Sequence, residues 1–349
     1  MYMMYGRKIL IILIGLLWML GACDQHPTAS GPGLKVMATT SVVGDIVRQV
    51  GGDFISVDIL LPLGTDPHSF TPTPKDMSRL ADARLVFING AGLEEFLTPM
   101  IESAGGNVRL VDLSASITLR SLDQSDPEDG HGSDPHTWMD PNNVIIWTGK
   151  VADALIELDP AHRVDYLQNA SRLQNDLVEL DLWVQDHVRQ IPLERRKLIT
   201  DHLVFGYFAD RYGFEQVGAI IPGFSTLAEP SAQELAHLED MIVQLDVPAL
   251  FVGWTTNQNL AERIAQDTGV RIVPLYTHSL SAVGGEAEHR PRHGRSGWMG
   301  ENWGGGVGGK GFGLWRLWHA VTGETKWNDP ENEIVIASGP AVRENRRNP

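Results

Sequence analysis

Apolar runs and helical stripes alternate along this chain in two series. In the first, Leu34–Thr39, Ile55–Leu61, Leu85–Asn89 and Val108–Leu113 are short apolar stretches of buried-strand length, and helical segments at Val42–Val50 and Pro74–Ala83 fall between them. The second runs through Lys197–Thr200, Gln216–Ile220, Ala249–Val252 and Val270–Leu275, with helices expected at Phe205–Tyr212, Ser231–Leu245 and Asn257–Thr268. Strands that alternate with helices make βαβ units, and βαβ units make parallel sheets. Between the two series, Val164, Leu167, Leu173, Leu177, Leu180 and Val184 recur mostly at threes and fours across Ala161–Gln190 without a breaker, the pattern of one long helix. The expected fold is α/β: two lobes, each with a central parallel sheet flanked by helices, joined by one long rigid helix. The expected limits are 34–158 for the N-terminal lobe, 159–191 for the connecting helix and 192–285 for the C-terminal lobe.

The N-terminal segment follows a different pattern. Arg7 and Lys8 precede an apolar run, Ile9–Leu20, that is short for a membrane span and closes on Leu20-Gly21-Ala22-Cys23. A basic start and a small-residue end are the marks of a cleaved export signal, and this one resembles a bacterial lipoprotein signal. In that resemblance residues 1–23 are the signal region, Cys23 is lipidated and becomes the new N-terminus, and 24–33 is a Pro/Gly/Ser-rich linker. The protein is then exported but tethered to the membrane through Cys23, at the outer face of the cytoplasmic membrane, the periplasmic side in a Gram-negative source. Cys23 is the only cysteine, so no internal disulfide forms. With 28 basic and 44 acidic residues the net charge is −16, which disfavours nucleic acid and anionic lipid surfaces as partners. More than 300 residues remain after the signal, more than one core usually spans.

The candidate chemistry lies in three histidines with distinctive surroundings. His68 sits in Gly64-Thr65-Asp66-Pro67-His68-Ser69-Phe70, His136 in Asp134-Pro135-His136-Thr137-Trp138, and His202 in Thr200-Asp201-His202-Leu203-Val204-Phe205-Gly206-Tyr207. Imidazoles delivered from separate loops beside carboxylates are what a first-row transition metal needs. His68 and His202 follow expected strands, and in open parallel sheets ligands gather at the carboxyl ends of strands. Pro67 and Pro135 restrict the backbone just before two of the three.

These motifs carry a wider resemblance. Asp66-Pro67-His68 with Pro72-Thr73-Pro74-Lys75-Asp76, Asn89-Gly90-Ala91-Gly92-Leu93-Glu94, Asp134-Pro135-His136-Thr137-Trp138, His202 with Phe205-Gly206-Tyr207-Phe208 and Tyr212-Gly213, and Gly223-Phe224-Ser225-Thr226 with Glu229-Pro230-Ser231 follow one another in order over roughly residues 34–285. Together they resemble the zinc/manganese substrate-binding lipoproteins of bacterial ABC metal importers, the ZnuA/TroA-like family. The resemblance implies a metal held between two lobes and delivered to an ABC transporter membrane permease. It also implies that His68 and His136 are ligands from the first lobe and His202 one from the second. The family's fourth ligand is usually an aspartate in the segment matching Leu275–Leu280, where this chain has His278. Either His278 coordinates, giving an all-histidine site, or the fourth place goes to water or another carboxylate.

Imidazole-rich sites favour zinc(II), and manganese(II) is the competitor. In relatives that take manganese or iron the position of His202 is often acidic, which again points to zinc. The acidic loop Asp123–Ser133, with His131, reads as a plain loop or as a reduced metal-gathering segment. A secreted zinc-dependent hydrolase is the alternative from another class, with Glu94, Asp140 or Asp201 as bases, but no His-Glu-x-x-His helix or Gly-x-Ser-x-Gly elbow accompanies them. The expectation is a carrier, not an enzyme; an adhesin-like surface lipoprotein would share its fold. Beyond Glu286 the apolar pattern stops and His289–Arg295 leads into a glycine- and tryptophan-rich stretch. The family continues instead with a terminal helix, so the tail 286–349 reads as a frameshifted replacement. Its Gly304–Lys310 imitates a phosphate loop, but Gly311 stands where Ser or Thr is required.

Overall fold

The computed structural model describes residues 34–103, 108–121 and 132–280. The signal region, Cys23, the linker, most of the acidic loop with His131, and the tail lie outside the described residues. Two four-stranded, wholly parallel sheets organise the rest. The first contains β1 (Leu34–Ala38), β2 (Ile55–Ile59), β3 (Leu85–Ile88) and β4 (Arg109–Asp112) in the order β2-β1-β3-β4. The second contains β5 (Lys197–Thr200), β6 (Glu215–Ala219), β7 (Ala249–Gly253) and β8 (Arg271–Leu275) in the same order, β6-β5-β7-β8. Each sheet thus changes direction of winding beside its first strand, and a crevice opens there at the carboxyl ends.

Local sequence explains where the helices start and stop. Helix α1 (Ser41–Gly51) starts at Thr40, whose hydroxyl accepts from Val43 N, and buries Val43, Ile46, Val47 and Val50. Helix α2 (Pro74–Ala81) has proline in its first turn and a reciprocal Thr73–Asp76 capping box. Helix α3 (Leu97–Ser103) tolerates Pro99 because it falls in the first turn. Helix α4 (Pro141–Leu158), begun by Asp140, lies against α5 (Arg163–Val188), which follows a single tight turn at Pro160–His162. In the second half come α6 (Gly206–Tyr212), α7 (Ala232–Gln244) and α8 (Asn259–Thr268); α6 and α8 stop at left-handed glycines, Gly213 and Gly269.

The elements differ from the expected ones mainly at their ends. Leu60 and Leu61 leave the strand pattern after Ile59, and Leu113 turns into a short helical turn, although all three are buried. Leu60 N and Leu61 N still donate to Ala38 O and Thr39 O at 2.8 and 2.9 Å, so the chain stays against β1 past the end of β2. Helices α3 and most of α4 were not expected.

One hydrophobic core runs through both halves. Val47, Trp147, Tyr166 and Leu177 from the first sheet's helices and the long helix form one continuous cluster with Phe208, Phe251, Val273 and Leu280 from the second half. Smaller clusters cover the outer faces of the two sheets. At roughly 25 cal/mol per Å² of apolar area, a shared core of large side chains binds the lobes far more firmly than polar contacts would.

Candidate metal centre

All four candidate histidines come together at the carboxyl ends of the strands. His68 lies in the loop after β2, His136 opens the turn before α4, His202 follows β5 directly and His278 follows β8. Each offers a ring nitrogen, and these four atoms all lie within 4.8 Å of one another. His136 Nε2 is 3.3 Å from His68 Nε2 and 3.2 Å from His202 Nε2. His136, His202 and His278 are buried, whereas His68 is half-buried and lines a cleft of about 270 Å³ with Ala91, Gly92, Glu95, Leu119 and Phe224. That cleft is the way in from solvent.

The chemistry behind the rings decides what they present. His136 Nδ1 is 2.8 Å from Asp134 Oδ1, and His202 Nδ1 is 3.0 Å from Asp201 Oδ1. A carboxylate accepts only, so each Nδ1–H donates and each Nε2 keeps its lone pair. Two such lone pairs then face one another across 3.2 Å, which is repulsive until a cation sits between them. His278 Nδ1 approaches Thr277 Oγ1 at 3.2 Å, and its Nε2 is buried with no hydrogen-bond partner. Burial pushes His136 below the ordinary histidine range, against the pull of Asp134. Burial and then the neighbouring His202, His68 and His136 push His278 well below it. For His136 and His278 the shift favours the neutral ring, which is the state that binds metal.

Asp201 is fixed in turn. Its Oδ2 accepts from Gly253 N at 3.0 Å and from the Thr256 hydroxyl. Burial works against its charge, but His202, Thr256 and Gly253 outweigh that and hold its carboxyl well below the usual range. On the first-lobe side, Asn89 Nδ2 donates to Pro135 O at 2.9 Å. Trp138 Nε1 donates to Thr277 O at 2.9 Å, so the residue beside His278 is held by the His136 turn. Ser279 Oγ accepts from Gly64 N at 2.8 Å, and Leu280 N donates to Ser41 Oγ at 2.9 Å. The segment bearing His278 follows a second-lobe strand but is docked on the first lobe.

The carboxylates considered as hydrolytic bases have other roles. Glu94 accepts from Thr39 Oγ1, Asn89 N and Gly90 N, bracing the turn after β3, and burial pushes it up to about 7 against those bonds. That turn needs glycine at Gly90, where φ is +81° and a Cβ would meet the Asp112 carboxylate. Asp140 begins α4 and pairs with Arg211, and Asp201 is spent on His202. None of the three belongs to the cluster of candidate ligands. The contacts of Thr256, Ser41 and Ser279 that brace these loops give no local signal in the sequence, because their partners are distant in the chain.

Two parallel α/β lobes, a long packed helix and a convergent cleft between the lobes define the class: a substrate-binding protein of the kind that serves ABC metal importers. The chain belongs to the ZnuA family, described as "Zinc-uptake complex component A periplasmic", which matches residues 36–294. It is 34% identical over 269 residues to the manganese-binding lipoprotein MntA of Halalkalibacterium halodurans, covering 77% of this chain and 87% of that protein. It is 28% identical over 288 residues to the manganese ABC transporter substrate-binding lipoprotein PsaA of Streptococcus pneumoniae, covering 81% and 93%. Its fold matches the periplasmic zinc-binding protein TroA of Treponema pallidum with a TM-score of 0.68 and 27% identity, covering 76% of this chain and 95% of TroA. Like other members it is an extracytoplasmic, metal-binding component of an importer, not an enzyme. Among the described residues no helix is long and apolar enough to cross a membrane.

Proposed function

We propose that this protein captures one divalent transition metal, zinc in preference to manganese, on His68, His136, His202 and His278, and delivers it to an ABC permease while tethered through a lipid on Cys23. The observation that carries this reading is the donor set: four imidazole nitrogens within 4.8 Å and, among the described residues, no carboxylate in the cluster. A zinc–nitrogen bond of about 2.0–2.1 Å makes tetrahedral edges of roughly 3.3–3.4 Å. The separations of 3.3 and 3.2 Å between His136 and its two neighbours are close to those edges. Manganese prefers oxygen donors and higher coordination, and it stands at the weak end of the divalent affinity order. The named relatives include both manganese and zinc binders, so the donor set supports the ordering here.

The test is competition on metal-free protein at buffered free concentrations of the two ions. The expected result is one equivalent of zinc, held at least ~100-fold more tightly than manganese. Tighter retention of manganese overturns the zinc ordering.

A further inference from the structure

We infer that Arg120 is a positioning residue for the cargo metal: it bolts the His136 loop to the helix that follows His202 and so fixes two imidazoles from different lobes against one another. The inference rests on the reading of the four histidines as the metal site. Arg120 Nη1 donates to Asp134 Oδ2 at 3.0 Å, while the other oxygen of that carboxylate takes His136 Nδ1 at 2.8 Å and His136 N at 3.0 Å. The same guanidinium reaches across the seam, its Nε donating to Asp210 Oδ2 at 2.5 Å and its Nη2 to Asp210 Oδ1 at 3.4 Å. Asp210 belongs to α6, which starts four residues after His202. The backbone strengthens the joint. Asp134 N donates to Arg120 O at 2.8 Å, Arg120 N donates to Tyr207 OH at 3.1 Å, and Tyr207 OH donates to Asp134 O at 2.9 Å.

Gly206 is shaped to this contact. A Cβ there would lie 1.7 Å from Arg120 Nη1 and 2.6 Å from Asp134 Oδ2, so only glycine lets the first turn of α6 approach the pair. The far end of the same loop is held separately: Arg211 of α6 reaches Asp140 Oδ1 at 3.2 Å and binds Asp181 of α5 through two nitrogens at 2.7 and 2.6 Å. Arg211 touches no carboxylate that touches an imidazole; Arg120 does. Asp134 is wholly buried while the Asp210 side chain is 64% exposed. The outer arm therefore adds little to folding stability. Its consequence is geometric: it sets how far α6, and with it His202, stands from His136.

Four variants test this: Arg120→Met, Arg120→Lys, Asp210→Asn and, as a control on the far clamp, Arg211→Met. Zinc affinity by chelator competition, zinc off-rate and the visible spectrum of the cobalt(II)-loaded protein are read beside urea unfolding of the metal-free form. Arg120→Met is expected to lose ~10–100-fold in zinc affinity with an altered cobalt band, as partners of metal ligands typically do. Arg120→Lys, which restores charge but not the fork, is expected to recover part of that loss. Asp210→Asn is expected to speed zinc release at least threefold with metal-free stability near wild type. Arg120→Met with wild-type affinity and cobalt spectrum overturns the inference, as does an equal affinity loss in Arg211→Met with both spectra unchanged. Should Arg120→Met fail to fold, Asp210→Asn decides: an unchanged off-rate and spectrum overturn the positioning role. A wild-type protein that takes up neither zinc nor cobalt removes the metal-site reading and this inference with it, whereas normal uptake by wild type and variants alike removes only the role of Arg120.

Discussion

Replacing His278 with alanine should move metal-free and zinc-loaded stability in different ways. The His278 side chain is 2% exposed and its Nε2 has no hydrogen-bond partner, so in the metal-free protein it is a buried polar atom without compensation. Leaving such a group unsatisfied costs about 1–3 kcal/mol, and removing the ring recovers that while losing packing of similar size. The metal-free protein should therefore change by about 1 kcal/mol or less. The loaded protein should change far more. Zinc held by four protein ligands is worth roughly 10–16 kcal/mol, so one of four contributes on the order of 3 kcal/mol, or about a hundredfold in affinity. By linkage, a hundredfold weaker Kd removes about 2.7 kcal/mol of ligand-induced stability at saturating zinc, which is roughly 4–5 °C in Tm for a chain of this size. The assay is a pair of thermal melts, with and without zinc, alongside chelator competition for Kd. A variant that holds zinc within threefold of wild type, with the same zinc-induced rise in Tm, would take His278 out of the ligand set.

Two further outcomes follow from the buried titratable groups. Burial holds His136 and His278 below their unfolded values near 6.5, so the unfolded chain binds protons first on acidification. Stability and zinc affinity are both present above about pH 6.5 and should fall as pH drops through and below it; unchanged zinc affinity between pH 7.5 and 5.5 would contradict the neutral-ring argument. Glu94 has the opposite sign. Raised from 4.5 to about 7, it keeps its proton in the folded protein, and the stability it contributes is present below the unfolded value and lost as pH rises through 7. Glu94→Gln should flatten that slope in urea unfolding between pH 5.5 and 8, at a loss of about 1–3 kcal/mol, because an amide NH2 cannot accept from Gly90 N as Glu94 Oε2 does. An undiminished slope would assign it to another group.

The parts legible in the sequence are those in which one segment carries its own signal. Strands β3, β5 and β7 are buried and read as continuous apolar runs, as parallel strands should. The long helix shows its stripe at Leu173, Leu177, Leu180 and Val184, the side that packs against α4 and α1, whereas Val164 and Leu167, which extend the same spacing, are exposed. Helix α4 carries little periodic signal, since it packs on both α1 and α5 and its stripe is blurred. His68, His136 and His202 are marked by their neighbours, and the motif at His202 includes the aspartate that orients it, whereas His278 is reached only through the family resemblance. What stayed hidden is what distance joins: Arg120 to Asp210, ninety residues apart, and Thr256 to Asp201, fifty-five apart. No period or motif marks such pairs, because neither residue needs the other until the lobes meet.

The Ser41–Leu280 bond sets the order in which this molecule is built. The first turn of the first helix waits for a residue 239 positions later, and the core that contains Val47 also contains Leu280. Contacts of such long range form slowly, since loop closure precedes their reward. A chain that emerges from an export channel N-terminus first cannot complete its first lobe until the strand of Leu275 has followed it out. The cleft that gathers the four histidines is therefore among the last features to form, after most of the chain has already left the cytoplasm.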